Sequence, residues 1–187
     1  MVIAIILIIL LILIALVWGT YNKLVKLNER VKEAWSDITV QLKYRADLIP
    51  NLVETVKGYA KHEKEAFENV TAARSAVMGA KSVKTAAEAE TNLNAALSKV
   101  FAIAEAYPEL KANENFKELQ YQLQDVENKI QNVRRLYNST AKDLNVEIKS
   151  FPAILINKWF CHFKTQDYFE VAESEKAKIE KAPEVKF

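Results

Sequence analysis

The sequence predicts an all-α protein in which a single N-terminal transmembrane helix continues into an antiparallel up-and-down helical bundle of three long helices plus a short C-terminal fourth. Three observations predict it. The run Val2 to Trp18 (VIAIILIILLILIALVW) is apolar without interruption. Only 3 glycines and 4 prolines punctuate 187 residues, a scarcity that favours long helices. Beyond the apolar run, hydrophobic residues recur at spacings of three, four and seven, the period of a helix that buries one face, and no stretch sustains a period of two. Residues 1–20 then read as the anchor, 21–170 as the bundle and 171–187 as a charged tail.

The anchor comes first. A helix of about 20 residues spans roughly 30 Å, the thickness of a bilayer's hydrocarbon core. Each Leu, Ile or Val adds about −0.3 to −0.6 kcal/mol of insertion free energy. Trp18 and Tyr21 stand where an interfacial aromatic belt belongs. A cleaved signal would carry a basic leader and an Ala-x-Ala site; only Met1 precedes the run and Trp18-Gly19-Thr20-Tyr21 follows it, so a retained anchor is expected. Lys23, Lys26, Arg30 and Lys32 follow the span and place the bundle in the cytoplasm, with the N-terminus outside the inner (cytoplasmic) membrane.

From Tyr21 to Met78 one stripe persists: Leu24, Leu27, Val31, Trp35, Ile38, Leu42, Ala46, Ile49, Val53, Val56, Ala60, Phe67 and Val70. Pro50 interrupts it, and an interior proline removes one backbone hydrogen bond. The stripe keeps its phase across Pro50, which favours a kinked continuous helix over a break into two. Residues 79–85 read as a loop. Ala86–Ala106 reads as a second helix with Leu93, Leu97, Val100 and Ala104 on one face. Tyr107-Pro108 ends it, and the connection runs to Asn115. Phe116–Phe151 reads as the third, with Phe116, Leu119, Leu123, Val126, Ile130, Val133, Leu144, Ile148 and Phe151 in its stripe. Pro152 closes it. The aromatic stretch Ala153–Phe163 reads as a short fourth packing element, or as an interfacial or subunit-contact segment through Trp159, Phe160 and Phe163.

Net charge is +2, with acids and bases interspersed, which argues against nucleic acid as a partner. The single Cys161 makes no internal disulfide and fits a reducing compartment. The two histidines, His62 and His162, offer no metal site: a Glu-x-x-His motif would need a glutamate where Tyr59 stands, and Cys161-His162 are adjacent ligands without a second pair. No cofactor is expected, and no nucleophile-base pattern stands out, so the chain does not read as an enzyme.

Polar residues near the stripe carry a structural reading. Pro50 frees the carbonyl four residues earlier, at Ala46, and Arg45, Asn51 or a side chain from the third helix could bond it. Glu127, Arg134, Tyr137 and Asn138 share one side of the third helix at spacings of three, four and seven. A polar layer is expected in which Arg45 or Arg134 pairs with Glu127 or Asp47 and fixes register between helices.

Several blocks together resemble the LemA family of bacterial membrane proteins. They are Tyr21-Asn22-x-Leu24-Val25, Trp35-Ser36-Asp37-Ile38, Arg45-Ala-Asp-Leu-Ile-Pro-Asn-Leu-Val53 and Val56-Lys57-Gly58-Tyr59. Tyr107–Ala112, Glu127–Ile130, Arg134, Tyr137-Asn138, Asn145, Phe151-Pro152, Tyr168-Phe169 and Val185–Phe187 are similar to the family's second half. One stretch departs: Trp159–Phe163 lacks the glycine expected before its last Phe. The resemblance implies a helical bundle on one N-terminal anchor, N-terminus out, without an established enzymatic activity. A relative in magnetotactic bacteria is implicated in forming organelle membranes, which suggests membrane organisation. The expectation is a non-enzymatic protein that works at the lipid bilayer, self-associates as a homo-oligomer and organises or remodels the membrane. The alternative is a tethered adaptor that docks an unidentified cytoplasmic enzyme, protease or signalling partner.

Overall fold

A computed structural model describes residues 1–170, and all regular structure among them is helical. The elements are α1 (Val2–Lys57), α2 (Lys64–Gly79), α3 (Val83–Glu105), α4 (Pro108–Ala112), α5 (Glu114–Glu147) and α6 (Ala153–Ile156), which runs into a π turn over Asn157–Cys161. The expected charged tail, including Val185–Phe187, lies outside the described residues.

The N-terminal part of α1 is long and apolar enough to cross a membrane, and residues 1–19 are all exposed. From Leu24 onward the stripe turns inward: Leu24, Val31, Ile38, Leu42, Ala46, Ile49, Val53 and Val56 are buried. The helix runs through Pro50.

It does not run to Met78. α1 ends at Lys57, so the expected single helix is two, and the described residues hold four long helices where three were expected. Gly58 follows, the residue type least suited to a helix apart from proline. The amides of Tyr59 and Ala60 both donate to the Val56 carbonyl, at 3.0 and 2.9 Å, and close the helix with a tight turn. Ala60, Phe67 and Val70 are buried at the expected spacings, but beyond that turn. The stripe has a gap at Glu63 and Lys64, and periodicity alone bridges it.

α3 starts at Val83, three residues before the expected start. Ser82 caps it: the Thr85 amide donates to the Ser82 hydroxyl at 3.2 Å, and the Ser82 amide donates to the Thr85 hydroxyl at 3.1 Å. Threonine holds the place usually taken by Glu or Gln in such a box. The expected connection after Pro108 folds into α4, with proline in its first turn. Asn113 then caps α5 by accepting from the Phe116 amide at 3.1 Å.

The chain divides into two compact units. The first comprises Met1–Asp37 with Arg134–Tyr168; the described part of the second comprises 38–133 with 169–170. In the first unit Trp35 meets Tyr137 edge to face at 6.0 Å. Leu144, Ile148 and Ile156 are buried there, each such side chain contributing about 1.5–3 kcal/mol. Phe151, expected in the core, is instead 81% exposed. α5 has ended by Glu147, so position 151 no longer follows the helical period. In the second unit α2 packs on α3, whose buried face is largely alanine and leucine, and Phe101 meets Phe116 edge to face at 6.4 Å.

Candidate membrane interface and buried ion-pair layer

The second unit holds a buried ion-pair layer. The Arg45 guanidinium, on α1, is 7% exposed. Its Nη1 lies 2.8 Å from Glu127 Oε2 on α5 and 3.4 Å from Glu90 Oε1 on α3, and its Nη2 donates to Asn94 Oδ1 at 2.6 Å. One guanidinium fork thus serves three helices, a geometry its planar donors suit. Arg45 and Glu127 came from the sequence; Glu90 and Asn94 did not. Glu90 nevertheless carries a signal in the sequence. It falls in the spacing of Leu93, Leu97, Val100 and Ala104, so a charge stands on an apolar stripe.

A second device sits at Pro50. The carbonyl of Ala46, which the proline leaves without its helical donor, accepts from Arg74 Nε on α2 at 2.7 Å. Arg74 Nη2 also lies 3.8 Å from Asp47 Oδ1. The expected donors are corrected: Arg45 is committed to Glu90, Glu127 and Asn94, and Asn51 is exposed, with its own carbonyl accepting from Thr55. Asp47 pairs with Arg74 rather than with Arg45 or Arg134.

The remaining polar residues of α5, Arg134, Tyr137 and Asn138, belong to the first unit. Arg134 and Asn138 are half-buried. The Tyr137 hydroxyl donates to the main-chain carbonyl of Asp167 at 2.9 Å. Burial, helped by the Asp167 charge, pushes the phenol up to about 12. Asn145 clasps the same segment at two points: its amide nitrogen donates to the Gln166 carbonyl at 2.9 Å, and its oxygen accepts from the Gln166 amide at 2.8 Å. Asn157 does likewise with Phe163, at 3.0 and 2.9 Å. An asparagine that pairs like a strand edge ties down a segment that forms no strand.

Inside the second clasp lies the π turn, closed by the His162 amide on the Asn157 carbonyl at 2.8 Å. His162 adopts φ 56° and ψ 27°, the left-handed region. This is the position where the family pattern leads one to expect glycine, and it is the one positive-φ residue among those described. Burial pushes the Cys161 thiol up, away from the thiolate a nucleophile needs.

The residues expected at a membrane interface or subunit contact also lie in the first unit. Trp18 is 72% exposed and Tyr21 and Lys26 are exposed, while Lys23 Nζ reaches Glu147 Oε2 on α5 at 2.6 Å. Trp159 and Phe160 are 68% and 60% exposed. Phe163 is half-buried, its main chain held by Asn157. No cluster of three or more His, Cys, Asp or Glu side chains placed to hold a metal occurs among the described residues.

Comparison with known proteins matches the LemA family model to residues 34–187. Similar proteins include Magnetosome protein MamQ 2 and Magnetosome protein MamQ 1 of Paramagnetospirillum magneticum, each 24% identical over 183 residues, covering 84% of this chain and 67% of the relative. Magnetosome protein MamQ of Magnetospirillum gryphiswaldense is 25% identical over 175 residues, covering 80% of this chain and 64% of the relative.

Proposed function

The chain belongs to the LemA family, and from that premise we propose that it is a non-enzymatic, membrane-anchored helical protein that self-associates to organise or remodel the bilayer surface. One observation carries the reading. The exposed apolar run and the buried stripe belong to a single unbroken helix, α1, with no linker between the part suited to lipid and the part suited to a protein core. An anchor continuous with its domain transmits orientation to neighbours, which a flexible tether would not. In this reading the helices pack as an antiparallel bundle, and the Arg45 layer fixes their register rather than performing chemistry. The bundle faces the cytoplasm on the inner membrane, following Lys23, Lys26, Arg30 and Lys32. The similarity to proteins named for the magnetosome supports a membrane role.

The test is cross-linking and native electrophoresis of the full chain in mild detergent, followed by electron microscopy of the extracted particles. Symmetric oligomers are expected. Monomers alone would refute self-association, and a foreign protein recovered in stoichiometric amount in place of self-cross-links would favour the adaptor reading.

A further inference from the structure

The first unit contains an apolar groove of about 420 Å³ where the end of the anchor meets the π turn. Leu13, Ile14, Val17, Trp18 and Tyr21 of α1 line it together with Phe160 of the π turn. The volume falls in the usual range for small-molecule sites, about 300–1,000 Å³. We propose that this groove binds an acyl chain of an anionic phospholipid, and that the α6–π-turn segment is thereby a second membrane contact beside the anchor. The proposal rests on α1 spanning the bilayer.

Depth carries the argument. Leu13 lies roughly 7–8 Å along the helix from Trp18, on the side away from the bundle. If Trp18 marks the interface, Leu13 and Ile14 lie within the hydrocarbon. The groove that Phe160 shares runs from Leu13 to Tyr21 and Asn22, so its ring lies no further from the bilayer than the interfacial aromatics, beside side chains that reach into the hydrocarbon. Charge points the same way. From Ile148 to Gln166 the chain carries Lys149, Lys158 and Lys164 and no acidic residue. Exposed apolar side chains flanked only by basic ones are the composition of an element that lies in an anionic membrane surface. A second copy of the chain would have to present its own apolar face to the same lysines without an acidic complement from this segment.

Depth-resolved tryptophan quenching by brominated lipids tests this on the full chain in phosphatidylcholine–phosphatidylglycerol vesicles. One variant keeps only Trp18 (W35F, W159F); the other carries Phe160→Trp with Trp18, Trp35 and Trp159 changed to Phe. Acyl-brominated lipid is expected to quench both reporters within about twofold of each other, and omission of phosphatidylglycerol should weaken quenching at 160. Quenching at 18 without quenching at 160 overturns this proposal and leaves the anchor standing, whereas quenching at neither site overturns the anchor. Quenching at 160 that emerges only as protein is diluted into excess lipid assigns the groove to a second copy. Equal quenching without phosphatidylglycerol overturns the anionic preference.

Discussion

Replacing Arg45 with methionine isolates the contribution of the buried layer. At the observed 2.8 and 3.4 Å, the Coulomb attractions to Glu127 and Glu90 are about 6 and about 5 kcal/mol at an effective dielectric of about 20. Desolvating three ions costs several kcal/mol each, so the intact layer is close to neutral against an apolar core. Its asymmetry is what matters. Arg45 and Glu90 side chains are 7% and 2% exposed, and removing the cation leaves Glu90 buried beside a second carboxylate. Arg45→Met should therefore cost about 3–5 kcal/mol. For a domain of this size each kcal/mol moves Tm by about 2–4 °C, so thermal unfolding followed by circular dichroism should fall by about 6–20 °C. The triple variant R45M/E90L/E127L should recover most of that loss, because both carboxylates then leave the core together with the cation. A cost under about 1 kcal/mol for Arg45→Met, or a triple variant no more stable than the single, would show that the layer is not electrostatically coupled as drawn.

Three further outcomes follow from the geometry. Arg74→Met should cost about 1–2 kcal/mol by stripping the Ala46 carbonyl of its donor, and that cost should shrink in a Pro50→Ala background, where the helix supplies its own N–H; a double-mutant cycle by urea titration measures the coupling. Tyr137→Phe should lose about 1 kcal/mol and speed hydrogen exchange over residues 163–168. Tyr137 has its folded pKa raised, so it contributes stability that is present below about pH 10 and lost as pH rises through about 12; alkaline unfolding of Tyr137→Phe should lack that limb, as an ultraviolet tyrosinate titration would report. His162→Gly should raise stability by about 1 kcal/mol, since a left-handed conformation costs a side-chain-bearing residue about 1–2 kcal/mol, while His162→Val should lower it; paired thermal melts decide the sign.

What the sequence made legible was the part of the fold set by period. Ile38, Leu42, Ile49, Leu93, Leu97, Val126 and Ile130 are buried where their spacing put them. What it hid was set by single residues acting through space. The end of α1 at Lys57 depends on Gly58 and on a gap at Glu63 and Lys64 that buried neighbours on either side conceal. The α3 cap uses threonine where Glu or Gln is usual, so the sequence lacks the ordinary capping-box signature. Arg74 lies 28 residues from the carbonyl it bonds, and nothing in its own surroundings marks it. Glu90 could have been found, because a charge at a stripe position requires a partner, and that rule points to Arg45. Asn145 and Asn157 are invisible to periodicity because their partners are main-chain atoms in a segment without regular structure.

The proline in α1 has a consequence for how a helical protein encodes its own alignment. Apolar stripes are nearly degenerate: a helix slid by one turn along its neighbour meets much the same surface. A carbonyl stripped of its helical donor is a unique address on an otherwise repeating cylinder, and Arg74 reads that address from the adjacent helix. The local defect thus supplies the translational information that the hydrophobic pattern lacks. Pro50 and Arg74 are expected to be gained and lost together among relatives, because either one without the other leaves a buried polar group unpaired or a long cation without its site.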